Sequence, residues 1–117
     1  MNCDQSALLK ILSVGHDASI RGVGLSLKQA IEISRYLELR PSFSAEDLVP
    51  LVKAKPELVE VWLLYARDKR TDGGWYLVDS GEIGRVSGGQ TFRYRTLHSA
   101  VAHYAVRELD FWSGYAS

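Results

Sequence analysis

Six consecutive residues, Arg67-Asp68-Lys69-Arg70-Thr71-Asp72, carry three cations and two carboxylates. Tyr65 precedes them and Gly73-Gly74-Trp75-Tyr76 follows. Arginine forks pair with carboxylates or phosphates, and adjacent Tyr and Trp rings supply contact area. Arg67, Asp68, Lys69, Arg70, Asp72, Trp75 and Tyr76 are therefore the candidate partner-binding residues. A structural reading competes on equal terms. Cations at the end of a helix complement its negative pole, and Asp68 can pair locally. The paired glycines indicate a tight backbone turn and not a phosphate cradle, because no Gly-x-x-x-x-Gly-Lys motif accompanies them.

The remaining chemistry-bearing residues form no catalytic pattern. His98 and His103 are five apart on an expected helix, about 140° around its axis. A two-histidine metal face needs a spacing near four, so no metal ligand is nominated. His16 sits in an expected connector, and Cys3 stands alone near the N-terminus. Arg85, Arg93 and Arg95 could form a basic strip on a sheet, with the ordinary exposed sheet face as the simpler reading. Glu57, Glu60, Glu82, Glu108 and Asp110 read as the scattered acids of a surface. Trp62, Trp75, Tyr104 and Trp112 read as packing residues. No catalytic residue and no cofactor follows from these patterns.

The whole chain narrows the classes. Its 117 residues suit a single globular domain spanning 1–117, and its 46% hydrophobic content suits a packed core. Fourteen basic residues balance fourteen acidic ones. The basic excess of a nonspecific nucleic-acid binder is missing, so nucleic acid is disfavoured as a partner. One cysteine makes neither an intrachain disulfide nor a cysteine zinc site. No leader pattern or membrane-length apolar run is visible, which reads as a soluble cytoplasmic protein with no membrane partner.

The elements that must position the charged stretch follow from periodicity and punctuation. Apolar spacing predicts a helix over residues 4–13, capped by Asn2 or Asp4 and ended by Gly15. A connector over 16–24 with a helical turn at 17–21 follows. Ser26-Leu27-Lys28-Gln29 is a capping box opening a helix whose stripe is Leu27, Ala30, Ile31, Ile33, Ser34 and Leu37, stopped by Pro41. Ser44 and Asp47 open a short or kinked helix over 45–54 that contains Pro50. Residues 58–66 fit a helix face or a strand face. Pro56 and Glu57 before them and the cations after them favour the helix, with a long hairpin through 68–74 as the alternative. Strands at 75–79, 82–86 and 91–95, joined by glycine turns, make an antiparallel meander. A long amphipathic helix at 97–112 carries Leu97, Val101, Tyr104, Ala105, Leu109 and Trp112 on one side. The fold class is α+β: N-terminal helices, a three-stranded meander and a C-terminal packing helix. That helix and the Trp62 helix are the candidate covers for the sheet.

The string Trp-x-x-Tyr-x-x-Asp-Lys-Arg-Thr-x-x-Gly-Trp-Tyr, at residues 62–76, resembles small bacterial proteins of polymorphic toxin systems. These include immunity proteins of contact-dependent growth inhibition. The resemblance covers about an eighth of the chain. It implies a small protein that binds and neutralises one cognate toxin domain, without a cofactor, and it assigns no inhibitory residue. A neutral chain would then meet a basic toxin through a local acidic patch, such as Glu32 and Glu38, or Glu46 and Asp47 with Glu57 and Glu60. Two other readings stay open. One is a nuclease-like toxin or RNA-processing enzyme using Arg67, Lys69 and Arg70 with His98 or His103. The other is a homo-oligomeric interaction module. The charged stretch itself reads as a hinge of the fold as readily as a contact surface.

Overall fold

The computed structural model describes residues 4–19, 24–69 and 73–115. Helices α1 (Gln5–Leu12), α2 (Val14–Asp17), α3 (Leu27–Ser34) and α4 (Tyr36–Leu39) lead into a 3-10 turn at Arg40–Ser42. Helices α5 (Ala45–Ala54) and α6 (Glu57–Asp68) follow. Strands β1 (Trp75–Leu77), β2 (Glu82–Arg85) and β3 (Thr91–Arg93) and helix α7 (Leu97–Ser113) complete the α+β fold.

Local chemistry explains most element starts. Asp4 accepts from the Ala7 amide at 2.8 Å to cap α1. Ser26 and Gln29 close a capping box on α3, and Ser44 and Asp47 close another on α5. Residues 58–66 are helical, within α6, with Pro56 at its N-cap. Thr96 caps α7 through the Ser99 amide, and Gly114 ends it in the left-handed region at φ 81°.

Two helical expectations are corrected. The helix expected through Leu37 breaks at Arg35, which adopts φ 60° and ψ 35°. The chain turns there and restarts as α4, so Tyr36 enters the core while Ile33 and Leu37 are 63% and 50% exposed. The α-helical path ends at Leu39, two residues before Pro41, which itself sits within the 3-10 turn. Gly15 does not end α1 but lies inside α2, a helical turn at Val14–Asp17, and the turn expected at 17–21 runs into residues outside the described ones. A Cβ on Gly15 would lie 2.9 Å from the Trp62 ring, so the missing side chain is what admits the indole.

The sheet is an antiparallel meander in the order β1-β2-β3, with strands shorter than the sequence suggests. Trp75 pairs with Arg85, Leu77 with Ile83 and Ile83 with Phe92. These residues share one face, because side chains alternate along a strand. Tyr76, Glu82, Gly84 and Arg93 lie on the other. The basic strip, the less simple of the two readings of Arg85, Arg93 and Arg95, does not form: Arg85 and Arg93 are on opposite faces. Arg93 instead pairs with its cross-strand neighbour Glu82 at 3.2 Å, and Tyr76 donates to Glu82 at 2.6 Å.

Helix α7 packs against α5 and α3 as well as α6, β1 and β2. Its middle is therefore buried nearly all round: Ala100, Val101, Ala102, Tyr104, Ala105, Val106 and Leu109 are all core residues. Both expected sheet covers, α7 and α6, lie against β1. No helix among the described residues is long and apolar enough to cross a membrane.

Candidate functional site

The junction between α6 and β1 is built around a buried ion pair. Tyr65 lies one turn before the end of α6 and Lys69 at its C-cap. Glu108 comes from α7, with 0% side-chain exposure, and Lys69 has 9%. Lys69 Nζ donates to Glu108 Oε2 at 2.8 Å, to the Trp75 carbonyl at 2.7 Å and to the Gly73 carbonyl at 3.0 Å. An ammonium has three N–H groups, and all three are used. Glu108 Oε2 also accepts from the Tyr65 hydroxyl at 2.7 Å, and Oε1 accepts from the Trp75 amide at 2.8 Å. The Trp75 carbonyl takes a second bond from the Tyr104 hydroxyl at 3.1 Å.

The register explains why these groups converge. Val86 donates to the Gly74 carbonyl and Val78 to the Glu82 carbonyl. Trp75 and Arg85 are therefore a non-hydrogen-bonded pair, and the Trp75 amide and carbonyl point away from β2. They would be an open sheet edge inside the protein. Glu108, Lys69 and Tyr104 occupy that edge in place of a neighbouring strand.

Burial fixes the proton state of the phenols. Desolvation, then the charge of Glu108 and its hydrogen bond, pushes the Tyr65 hydroxyl far above its ordinary value near 10. Tyr104 is raised by desolvation first, with Glu108 and Tyr65 adding to it. Both hydroxyls stay neutral donors.

Gly74 makes the close approach possible. It has φ 78°, and a Cβ there would fall against Glu108 Oε1 and lie 2.6 Å from Trp112 Nε1.

A second carboxylate on α7 does the same work elsewhere. Asp110 is two residues on, about 200° around the helix, and so points to the opposite side. Its Oδ1 accepts from the Tyr36 hydroxyl at 2.6 Å and from Arg40 Nε at 2.8 Å, and its Oδ2 from Arg40 Nη2 at 3.1 Å. Arg40 also donates to the Phe43 carbonyl at 3.0 Å. Desolvation and the Asp110 hydrogen bond raise the Tyr36 hydroxyl out of the titratable range. One carboxylate ties down the α6–β1 junction, the other the irregular path from α3 to α5.

The candidate partner-binding residues divide accordingly. Lys69 and Trp75 face inward. Arg67 is exposed, and Tyr76 is on the outer sheet face with its ring across Gly84. Asp68 is half-buried at the end of α6. Arg70 and Asp72 lie outside the described residues. Glu108 and Asp110 are not surface acids, which corrects the sequence reading. The helix reads as amphipathic in sequence, and the burial of these acids follows from its packing against α5 and α3 as well as α6 and the sheet.

The histidines are not brought to the Lys69 network by any hydrogen bond among the described residues. His103 stacks on Tyr94 with centroids 4.6 Å apart and lies 3.4 Å from the exposed Glu46. Among the described residues no group of three or more His, Cys, Asp or Glu side chains is placed to hold a metal ion.

The fold and the junction define a small α+β domain whose central helix seals a sheet edge with a buried ion pair. No family model, curated protein or solved structure matches the chain.

Proposed function

We propose that the chain is a non-enzymatic protein-binding domain, an immunity protein that binds and neutralises a cognate bacterial toxin domain. The resemblance of residues 62–76 supplies the class. The observation that supports binding over chemistry at this stretch is the sequestration of Lys69 and Glu108. Each is bonded to fixed backbone and shielded from any substrate. A general acid or base must reach the proton it moves, and these two cannot. What remains outside is a surface presenting Arg67 and Tyr76, with Glu57 and Glu60 exposed on the first turn of α6. Anchoring through the buried pair limits the conformational entropy lost when a partner docks.

The test is co-purification and calorimetry with the toxin domain encoded beside this chain. A one-to-one complex is expected, weakened by Arg67→Ala or Tyr76→Ala at unchanged thermal stability. Absence of binding at micromolar concentration removes the immunity reading.

A further inference from the structure

Arg107, like Arg85 on the same sheet face, meets aromatic rings and, among the described residues, no carboxylate. Lys69 and Arg40 each meet a carboxylate, whereas Arg107 has none within ion-pair distance among the described residues. Its guanidinium is instead held over the Phe92 ring at 4.1 Å and the Trp75 ring at 5.0 Å. Stacking of this kind fixes the plane of the fork while leaving its N–H edge free.

Arg107 is also one of the residues lining an open pocket of about 240 Å³, with Arg40, Ser44, His103 and Asp110. His103, Val106, Arg107 and Asp110 are spaced as one face of α7. Asp110 is already satisfied by Tyr36 and Arg40, so it offers no partner to Arg107. Three of the five Arg40 N–H groups have named acceptors, which leaves two for a ligand. The charges of Arg40 and Asp110 cancel, which leaves Arg107 as the excess cation among the lining residues, with the exposed Glu46 beside His103.

We propose that this pocket is a carboxylate-binding slot in which Arg107, with Arg40 and Ser44 beside it, receives a single monoanionic carboxylate. A planar carboxylate matches the planar fork in bidentate geometry. A phosphate dianion would bring excess negative charge beside Asp110. The carboxylate can be an acidic side chain of a protein or a free small acid. The slot does not depend on the immunity reading.

Nitrogen-15 spectra of the full chain, following the Arg107 and Arg40 Nε–Hε signals during titration with sodium acetate against matched sodium chloride, test the slot. A saturable shift specific to acetate is expected. Arg107→Met should weaken binding about tenfold or more, as expected for the loss of a charge-assisted bidentate pair. Arg107→Lys keeps the charge and the stem but not the fork, and should also bind acetate more weakly. It keeps the test alive if the Met variant fails to fold. N-acetylglutamate amide separates the sources. Binding equal to acetate assigns the slot to protein side chains, and binding of acetate alone assigns it to free acids. A shift that never saturates, a saturable shift unchanged in both variants, or tighter binding of dianionic phosphate overturns the proposal.

Discussion

Lys69 and Glu108, 39 residues apart in sequence, meet at 2.8 Å and together close the outer edge of β1 at Trp75. The pair takes the place that another strand would fill. A buried pair of charges is costly to desolvate, and it holds only because every donor and acceptor is matched. Lys69→Met leaves the Glu108 carboxylate buried without its counterion, and Glu108→Gln leaves the Lys69 ammonium so. Each single change should cost about 3–5 kcal/mol in urea unfolding. The double variant should cost clearly less than the sum, because neither charge is then left alone. Additive losses would mean that the two side chains act independently and that the edge is closed by something else.

Much of the scaffold was legible because its signals are local. The Ser26–Gln29 and Ser44–Asp47 capping boxes lie within four residues and act within one turn. The meander was legible from glycine turns and alternation. The functional core of the junction was not. Whether Lys69 is a surface contact or a buried strut depends on Glu108, and nothing near Lys69 in sequence announces that partner. Likewise Asp110 finds Arg40 and Tyr36 some 70 residues upstream. Charges were read as surface because isolated charges avoid burial, and the exceptions are the paired ones.

Gly74 allows a direct check on the packing of this junction. Its φ of 78° disfavours any L side chain, and a Cβ would meet both the Glu108 carboxylate and the Trp112 indole. Gly74→Ala should therefore destabilise by roughly 2–4 kcal/mol, combining left-handed strain with overpacking. Gly88 also has a positive φ, of 93°, but a Cβ there would meet nothing within 4 Å. Gly88→Ala should cost only about 1–2 kcal/mol of conformational strain. Equal losses in thermal or urea unfolding would show that the Glu108 and Trp112 contacts add nothing.

The three buried tyrosines predict alkaline unfolding. Tyr36, Tyr65 and Tyr104 all have raised values in the folded state, with desolvation as the first cause. An unfolded chain releases their protons near pH 10. The stabilising contribution is fully present below that pH and falls as pH rises above it, because the folded state keeps protons that the unfolded state has lost. Each tyrosine then lowers stability by about 1.4 kcal/mol per pH unit, or roughly 4 kcal/mol per unit for the set. Tyrosinate absorbance of these three residues should appear together with loss of near-ultraviolet ellipticity. Ionisation of all three in a still-folded protein would contradict their burial.

Arg35 offers the opposite sign of effect. It is the one described non-glycine residue with positive φ, at 60°, and it sits where a continuous helix was expected to run on to Leu37. An L residue in this conformation carries about 1–2 kcal/mol of strain. The break it makes is what lets Tyr36 turn inward to Asp110. Its own ion pair with Glu38 joins two side chains that are 65% and 62% exposed, and an exposed pair contributes little. Arg35→Gly should therefore be stabilising by up to about 1 kcal/mol, since relief of strain exceeds the loss of the pair and the added freedom of the unfolded chain. Arg35→Ala should be destabilising or neutral, because it loses the pair and keeps the strain. Urea unfolding of the two variants decides it. If alanine is the more stable, the left-handed break at residue 35 is not what directs Tyr36 into the core.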